Sequence, residues 1–254
     1  GQDRDAAVYE NLNRSVELIE EAVRRAGGKL LLFPEFWLQG FLYDATPDDW
    51  KQLCVRMDGP EMQTLQEAAA RNTVYLAGAV FEYDPEWPDR WWNTAFIIDD
   101  SGRLIHKYRK INEGNLPGVV CVTSPGDVYS EYVKRYGYDS LWPVANTPLG
   151  RIGTDICFSM NFAENSRMLA LHGAEVILHP TGEPHGSYRP MWQQARQARA
   201  YENQVYWASA NHGSVSHTKL PNWRSRGHSC IIDFGGSVIA VADSPGETII
   251  SATI

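Results

Sequence analysis

Short apolar runs that alternate with amphipathic helical stretches constrain the fold more than any other feature of this sequence. Residues 7–22 repeat apolar side chains at a period of about 3.6 and precede a Gly-Gly pair, which indicates a helix. Residues 30–33 follow as a continuous apolar run, which is typical of a strand buried on both faces. Residues 62–71 and 74–81 repeat this helix and strand pair. The alternation predicts helices packed outside β-sheets, an α/β class.

Two turn sequences add antiparallel pairing to this pattern. The Asp-Asp-Ser-Gly turn at 99–102 predicts a hairpin over residues 93–108, and the Phe-Gly-Gly turn at 234–236 predicts another over residues 229–242. Residues 248–254 are a candidate last strand. The sheets are therefore expected to be mixed rather than purely parallel.

The middle of the chain departs from this regularity. Residues 111–148 are rich in Gly, Pro, Asn and aromatics without sustained periodicity, so we expect a long ordered loop, and loops of that length are usually functional. Beyond it we expect strands at 150–157, 176–179 and 206–211 and helices at 162–171 and 191–203. The length of 254 residues suits one domain, residues 1–254.

Charge and composition narrow the class of partner. The net charge is −8 and the pI about 5.4, so no basic face is expected for nucleic acid or anionic membranes, and a small-molecule partner fits better. No apolar run approaches the roughly 20 residues of a membrane-spanning helix, and the N-terminus lacks a signal pattern. The cytoplasm is the expected location.

Cysteines at 54, 121, 157 and 230 have neither zinc-site nor disulfide-framework spacing, so no metal is expected.

The first candidate functional residue is Glu35, which comes directly after the apolar run 30–33 and Pro34. Ligands in α/β folds tend to bind at strand ends. Apolar neighbours raise the pKa of a carboxyl group toward neutrality, which makes it a usable general base. The alternative interpretation is a surface glutamate in a turn.

The second candidate is Lys110, at the end of the basic stretch 106–110. Strand alternation should direct Lys107 and Arg109 to one face and Lys110 to the other, together with His106. Beside Glu35, Lys110 could stabilise an oxyanion. The alternative is a solvated basic edge.

The third candidate is Cys157, which ends a predicted strand immediately before a predicted helix. The positive end of a helix and a neighbouring lysine lower the pKa of a thiol, so we expect a reactive thiolate here. The contexts of Cys54, Cys121 and Cys230 are typical of structural cysteines. Histidines are dispersed, and none has a context that marks it as a base.

Taken together, these motifs resemble the nitrilase superfamily of carbon–nitrogen hydrolases, in its amidase and carbamoylase branch. The resemblance rests on Glu35 after Phe-Pro, Lys110 after Tyr-Arg and the strand that ends at Cys157, in that order, and extends over 92–95, 172–175, 198–203 and 227–235. It implies a four-layer αββα sandwich of two mixed β-sheets flanked by helices, no cofactor, and a Glu35–Lys110–Cys157 triad. It also implies that the backbone N–H of Phe158 assists Lys110 at the oxyanion.

Amidase-like members carry a second glutamate between the lysine and the cysteine. Glu131 is the candidate on its separation from Cys157, and Glu113, close behind Lys110, is the alternative. Aromatic and apolar candidates for the substrate pocket are Trp37, Trp92, Phe158, Met160 and Trp192.

The function that the resemblance implies is hydrolysis of a small linear amide. The reaction would pass through a thioester on cysteine and release ammonia or an amine. Ser159 and Met160 stand where carbamoyl-amino-acid hydrolases use arginine to bind a carboxylate, which favours a neutral amide. A nitrilase and a non-catalytic binding protein of the same fold remain the alternatives. The resemblance further implies a homodimer or higher homo-oligomer and a chain trimmed at both ends.

Overall fold

Two mixed sheets form the centre of the protein. The computed structural model describes residues 4–40, 51–113, 122–183, 189–213, 227–243 and 246–254. The first sheet has the order β1-β2-β3-β4, from β1 (Leu30–Glu35), β2 (Tyr75–Tyr83), β3 (Trp91–Ile98) and β4 (Leu104–Arg109). The second has the order β10-β9-β8-β7-β6-β5, from β5 (Val144–Thr147), β6 (Gly150–Thr154), β7 (Val176–Thr181), β8 (Tyr206–Asn211), β9 (Cys230–Ile232) and β10 (Val238–Val241).

Strand direction follows the lengths of the connections. Strands joined by short turns, such as β3 and β4, pair antiparallel, whereas β6, β7 and β8, which are joined through helices, pair parallel. The turn between β3 and β4 is the predicted one. Asp99 accepts hydrogen bonds from the backbone N–H groups of Ser101 at 3.0 Å and Arg103 at 2.9 Å, and Gly102 has a left-handed φ of 84°. This hairpin is confirmed.

Helices cover the outer face of each sheet. The helices that lie wholly within the described residues are α1 (Arg4–Ala26), α2 (Pro60–Asn72), α3 (Tyr129–Tyr136), α4 (Ala163–Leu171) and α5 (Arg189–Asn203). Apolar side chains of α1 and α2 pack on the first sheet, and those of α4 and α5 pack on the second. Tyr75, Ile97, Ile152 and Leu178 belong to the core between the sheets. The layers are therefore helix, sheet, sheet and helix, which confirms the αββα prediction.

The region 111–148 is more ordered than the sequence indicated. It contains α3 and β5 in addition to loop, so the prediction of a long loop without regular elements is wrong. Tyr132 of α3 is buried, and its ring packs 5.9 Å from that of Trp92, so the helix depends on a tertiary contact that periodicity alone does not reveal.

Two other strand predictions differ from the structure. The strand predicted over 150–157 stops at Thr154, because Cys157 begins a 3₁₀ turn that ends at Asn161. Residues 248–254 are not a strand, and so that prediction is wrong. Within the described part of the chain, no helix has both the length and the apolar character required to cross a bilayer.

Candidate active site

Glu35 lies at the carboxyl end of β1 and is buried, with an exposed fraction of 1%. Its Oε1 accepts hydrogen bonds from Lys110 Nζ at 3.1 Å and from Asn93 Nδ2 at 2.7 Å. Its Oε2 has no hydrogen-bond partner among the described residues. The alternative of a surface glutamate is therefore wrong. One carboxylate oxygen is held by two donors, and the other can accept a proton.

The backbone around Glu35 is held just as firmly. Phe36 has a left-handed φ of 54°, which an L-residue adopts at a cost of about 1–2 kcal/mol, and its N–H donates to the carbonyl of Ala79 at 2.6 Å. His212 donates from Nε2 to the carbonyl oxygen of Glu35. These contacts from β2 and from the end of β8 fix the direction of the Glu35 side chain.

Lys110 comes directly after β4 and carries its charge inside the protein. Lys107 and Arg109 pair with Glu82 on one face of the first sheet, whereas Lys110 pairs with Glu35, so the predicted alternation is confirmed. Burial disfavours the ammonium, but Glu113 and Glu35 outweigh it and raise the pKa of Lys110 above its ordinary value. The side chain therefore stays charged, and the alternative of a solvated edge is wrong.

Glu113 is the second carboxyl group beside this lysine. Its Oε2 lies 3.5 Å from Lys110 Nζ, and its Oε1 has no hydrogen-bond partner among the described residues. Burial raises the pKa of Glu113 to about 7, although Lys110 opposes the shift. The group therefore exchanges its proton near neutral pH.

Glu131, the first choice from the sequence, lies elsewhere. Its side chain is 54% exposed and pairs with Arg135, one turn further along α3, at 2.5 Å. A solvated pair on the surface of a helix places no carboxylate beside Lys110. Its position therefore contradicts the prediction, and Glu113 is the glutamate that the structure brings to Lys110.

Cys157 begins the 3₁₀ turn after β6 with a left-handed φ of 47°. Its thiol is hydrogen-bonded to the side chain of Thr181 and to the backbone of Gly182. His179 donates from Nε2 to the carbonyl oxygen of Cys157 at 3.0 Å, which requires the tautomer whose Nδ1 accepts from Ser209 Oγ at 2.8 Å. The strained backbone of the nucleophile candidate is thus held by β7.

The protonation of Cys157 differs from the prediction. Burial, reinforced by the charge of Glu35, raises the pKa of the thiol to about 12, and Lys110 and Thr181 reverse only part of the shift. The expected lowering is wrong because the following element is a short 3₁₀ turn and Cys157 is only 8% exposed. The resting thiol is protonated, so a base must remove its proton. The influence of Glu35 and Lys110 on this pKa also shows that the three groups share one site.

Two predicted pocket residues remain near Cys157. Trp192 of α5 packs on the cluster that contains Cys157 and Tyr108, and Phe158 follows the cysteine with 38% of its surface exposed. Trp37 lies elsewhere. It stacks on Phe33 at 5.1 Å and its Nε1 donates to Ser15 of α1, so it belongs to the outer core of the first sheet, and its prediction as a pocket residue is wrong.

Trp92 and Met160 also lie outside the pocket. The guanidinium of Arg109 covers the ring of Trp92 at 4.2 Å, and Met160 is buried in the core under α4 and α5. Both were pocket candidates from the sequence, and both are packing residues.

Four residues that contact the triad were not identified from the sequence as functional: Asn93, His179, Thr181 and His212. Asn93 lies in the stretch 92–95 of the resemblance, which could have indicated it. His179 and Thr181 come from β7, which pairs parallel with β6 and so lies beside Cys157, whereas His212 follows β8 and meets Glu35 of the other sheet. Among the residues that the structure describes, no group of His, Cys, Asp and Glu has the arrangement of a metal site.

Comparison with known proteins identifies the family to which this fold and this buried Glu–Lys–Cys cluster belong. The carbon–nitrogen hydrolase family model matches residues 2–254, and the chain belongs to that family. The prediction from the sequence motifs is confirmed at this level. The protein is therefore a hydrolase that acts on carbon–nitrogen bonds.

Individual relatives point the same way. The chain is 30% identical to omega-amidase NIT2 of Xenopus tropicalis, over 96% of this chain and 83% of the relative, and 28% identical to the mouse protein over the same shares. Yeast Nit3, a member of branch 10 of the nitrilase superfamily, superposes with a TM-score of 0.74 at 24% identity, over 95% of this chain and 82% of that one. An amidase from Nesterenkonia sp. superposes at 0.76 with 20% identity, over 94% and 82%.

Proposed function

We propose that the protein hydrolyses the terminal amide of a short linear molecule to the acid and ammonia. Cys157 is the nucleophile, Glu35 the base, Lys110 the oxyanion-stabilising cation and Glu113 the second carboxyl. The substrate class is supported by the identity of 30% to a relative named omega-amidase. The roles are supported by one observation above the others. Glu35 presents a single unbonded oxygen, Oε2, while Lys110 and Asn93 hold its other oxygen.

The first half of the reaction follows from this geometry. Glu35 takes the proton of the thiol, which is otherwise protonated, and the sulfur of Cys157 attacks the amide carbon. The developing oxyanion is stabilised by the ammonium of Lys110 and by the backbone N–H of Phe158. When the tetrahedral intermediate collapses, the C–N bond breaks, Glu35 returns the proton to the departing ammonia, and an acyl thioester remains on Cys157.

The second half hydrolyses the thioester. Glu35 accepts a proton from water as the water attacks the acyl carbon, and the sulfur leaves with that proton as the acid is released. Glu113 has a pKa of about 7 and lies on the other side of Lys110, so it can orient the substrate amide and the water as donor or acceptor. This function requires the side chain at 113 to be within reach of the substrate.

The pocket favours a neutral group next to the amide. Phe158 and Trp192 supply apolar surface, Met160 is fully buried, and Ser159 donates to the backbone carbonyl of Asn112 at 3.1 Å. Neither Ser159 nor Met160 can bind a carboxylate. A substrate that is uncharged near its amide therefore fits these walls better than an anionic one.

The nucleophile is tested by Cys157→Ala and Cys157→Ser, assayed for ammonia release on a panel of terminal amides and of the matching nitriles. We expect each variant to lose at least about 1,000-fold in kcat, because no other group can form the thioester. The matched control is Cys54→Ala, which removes a thiol that packs on Phe36 and Phe81 and not on Cys157, and it should keep the activity.

The product identifies the reaction. Acid from amides at a rate above that from nitriles supports the proposal, and faster turnover of nitriles would assign a nitrilase instead. Ligand binding without turnover by the unmodified protein would identify a binding protein of the same fold. Full activity of Cys157→Ala would exclude the mechanism altogether.

Three further properties belong to the same proposal. We propose that residues 1–254 form one catalytic domain, supported by the family match over 2–254. We propose a homodimer or larger homo-oligomer, supported by exposed apolar side chains on α4 and α5 at Leu171, Met191 and Tyr201. We propose a cytoplasmic location, where reducing conditions keep Cys157 a free thiol. Light scattering and cell fractionation test the last two.

A further inference from the structure

Thr181 is the last residue of β7, is fully buried and contacts the sulfur of Cys157 through its side chain. The same hydroxyl donates to Oε1 of Glu183 at 3.2 Å. A threonine hydroxyl has one proton and two lone pairs. It can therefore donate to the sulfur or to the carboxylate, but not to both at once.

A buried ion pair fixes the carboxylate side of this contact. Glu183 and Arg196 of α5 are each 1% exposed, and Arg196 Nη2 pairs with the same Oε1 of Glu183 that Thr181 reaches. The backbone N–H of Glu183 donates to Asn211 Oδ1 at 2.8 Å. The Glu183 carboxylate is thus paired with Arg196 independently of Thr181. A hydroxyl that turns away from it leaves no uncompensated charge.

The resting state of this arrangement is set by the protonated thiol. While Cys157 holds its proton, the Thr181 hydroxyl donates to Glu183 and its lone pair faces the S–H group. Once Glu35 has taken the thiol proton, the sulfur is an anion and accepts hydrogen bonds strongly. Rotation of the Thr181 hydroxyl then brings its proton to the sulfur.

We propose that Thr181 is a positioning residue for the nucleophile, whose hydroxyl shifts its hydrogen bond from Glu183 to the Cys157 thiolate as the thiolate forms. No proton leaves Thr181 in this step. The thiol proton goes to Glu35, and only the direction of one hydrogen bond changes. The inference rests on the proposed role of Cys157 and adds a residue to it.

Several charged groups face the sulfur and act on the same equilibrium. Glu35 comes from β1, Lys110 from the end of β4 and Arg196 from α5, while the buried His179 of β7 has a pKa far below its ordinary value and is neutral. Glu113 acts through Lys110. A substitution at 181 removes none of these groups, and Arg196 remains paired with Glu183, so the effect of the hydroxyl on the thiol can be measured.

The test compares Thr181→Val, which keeps the shape and removes the hydroxyl, with Thr181→Ser, which keeps the hydroxyl. We expect Thr181→Val to lower kcat about 10- to 100-fold with KM little changed, and to raise the apparent pKa of Cys157 by about one unit or more. The thiolate titration is followed by its ultraviolet absorbance, with Cys157→Ser subtracted, and by the rate of alkylation with iodoacetamide against pH. Thr181→Ser should return both profiles toward those of the unmodified protein.

Thr64→Val makes the same chemical change in α2, where the hydroxyl donates to the carbonyl of Pro60, and serves as the matched control. Circular dichroism melting checks that each variant is folded. If folded Thr181→Val titrates and turns over like the unmodified protein, the inference is wrong while the role of Cys157 stands. If Thr181→Ser is as slow as Thr181→Val, shape rather than the hydroxyl matters, and the inference is again wrong. Loss of activity in Cys157→Ala is a separate outcome, which tests the proposed function alone.

Discussion

Arg109 and Lys110 are neighbours in sequence, yet each is the centre of a different buried cluster of charge. Arg109 donates to Glu82 at 3.1 and 3.2 Å and also binds Asp84, and its guanidinium covers the ring of Trp92. Lys110 lies between Glu35 and Glu113 on the opposite face of the sheet. Each cluster contains a buried cation and two carboxylates, and Lys107 joins the Arg109 cluster as a second cation. The clusters differ in whether every carboxylate oxygen has a hydrogen-bond partner.

In the Arg109 cluster, the carboxylates are bonded from several sides. The hydroxyl of Thr94 donates to Glu82 Oε2 at 2.6 Å, and Lys107 Nζ lies 2.5 Å from Glu82 Oε1. Although burial opposes the shift, hydrogen bonds from the Glu86 backbone and from Arg109 lower the pKa of Asp84. The carboxylate oxygens of this cluster are therefore occupied by hydrogen bonds and ion pairs.

In the Lys110 cluster, one oxygen of each carboxyl group lacks a hydrogen-bond partner among the described residues. Burial raises the pKa of Glu113 to about 7. Unsatisfied buried oxygens cost stability, and they are the atoms that can take protons from a thiol or from water. Within this sheet, incomplete hydrogen bonding therefore distinguishes the cluster that we propose as catalytic from the fully bonded Arg109 cluster.

Among the variants that compare the two clusters, Lys110→Met should have the largest effect. Removing the cation that faces the oxyanion should lower kcat/KM about 100- to 1,000-fold. The free energy of unfolding should change much less, because Glu113 can become neutral by taking up a proton. Steady-state kinetics and urea unfolding measure the two quantities. Lys107→Met is the matched control on the other face of β4, and activity lost equally in both variants would remove the distinction between the clusters.

Arg109→Met should have the opposite effects, a large loss of stability and little loss of activity. Two buried carboxylates lose their main partner, and we expect the free energy of unfolding to fall by about 3–5 kcal/mol. Activity per folded molecule should largely remain, because Arg109 faces away from Cys157. Arg109→Lys keeps the charge but loses the two-pronged geometry, and an intermediate loss is expected. A variant that melts normally but is inactive would contradict the structural assignment.

The sequence predicted the separation of these clusters because strand alternation is a local rule. Side chains two residues apart share a face, so the order of residues along β4 is enough to separate Lys107 and Arg109 from Lys110. The prediction for the second glutamate failed because spacing along the chain cannot say which way α3 turns, and α3 directs Glu131 to solvent. The prediction for the pKa of Cys157 failed for a related reason. A motif shows that a helical turn follows, but not that the sulfur is buried beside a carboxylate.

The contacts from β7 and the end of β8 could not be predicted at all. His179 and Thr181 of β7 meet Cys157, which follows the neighbouring strand β6, so strand order in the second sheet decides these contacts. His212 follows β8 and meets Glu35 of the first sheet, so sheet-to-sheet packing decides that contact. The three residues of the proposed triad were therefore recognisable from local motifs, whereas the residues of β7 and β8 that contact them were not.

The smallest expected effect is the pH dependence of stability, which depends on Glu113 in the Lys110 cluster. Because burial raises the pKa of Glu113 to about 7 in the folded protein, its contribution to stability is fully present below its ordinary value of 4.5 and is lost as pH rises through about 7. In Glu113→Gln, the free energy of unfolding should therefore fall by about 1–3 kcal/mol less between about pH 4 and pH 8 than it does in the unmodified protein, as measured by urea unfolding.

Asp155, whose pKa burial also raises to about 7, contributes in the same window, so Asp155→Asn should flatten the same curve. Its carboxylate contacts Ser166 of α4 and feels the charge of Lys110, whereas Glu113 pairs directly with Lys110, so Glu113→Gln should change the pH profile of kcat more than Asp155→Asn does. Equal effects of both variants on kcat would mean that Glu113 acts only through the charge of the cluster and not through contact with the substrate. A stability curve unchanged in Glu113→Gln would show that the carboxyl is not protonated near neutral pH, and the contrast with the Arg109 cluster would then rest on hydrogen bonding alone.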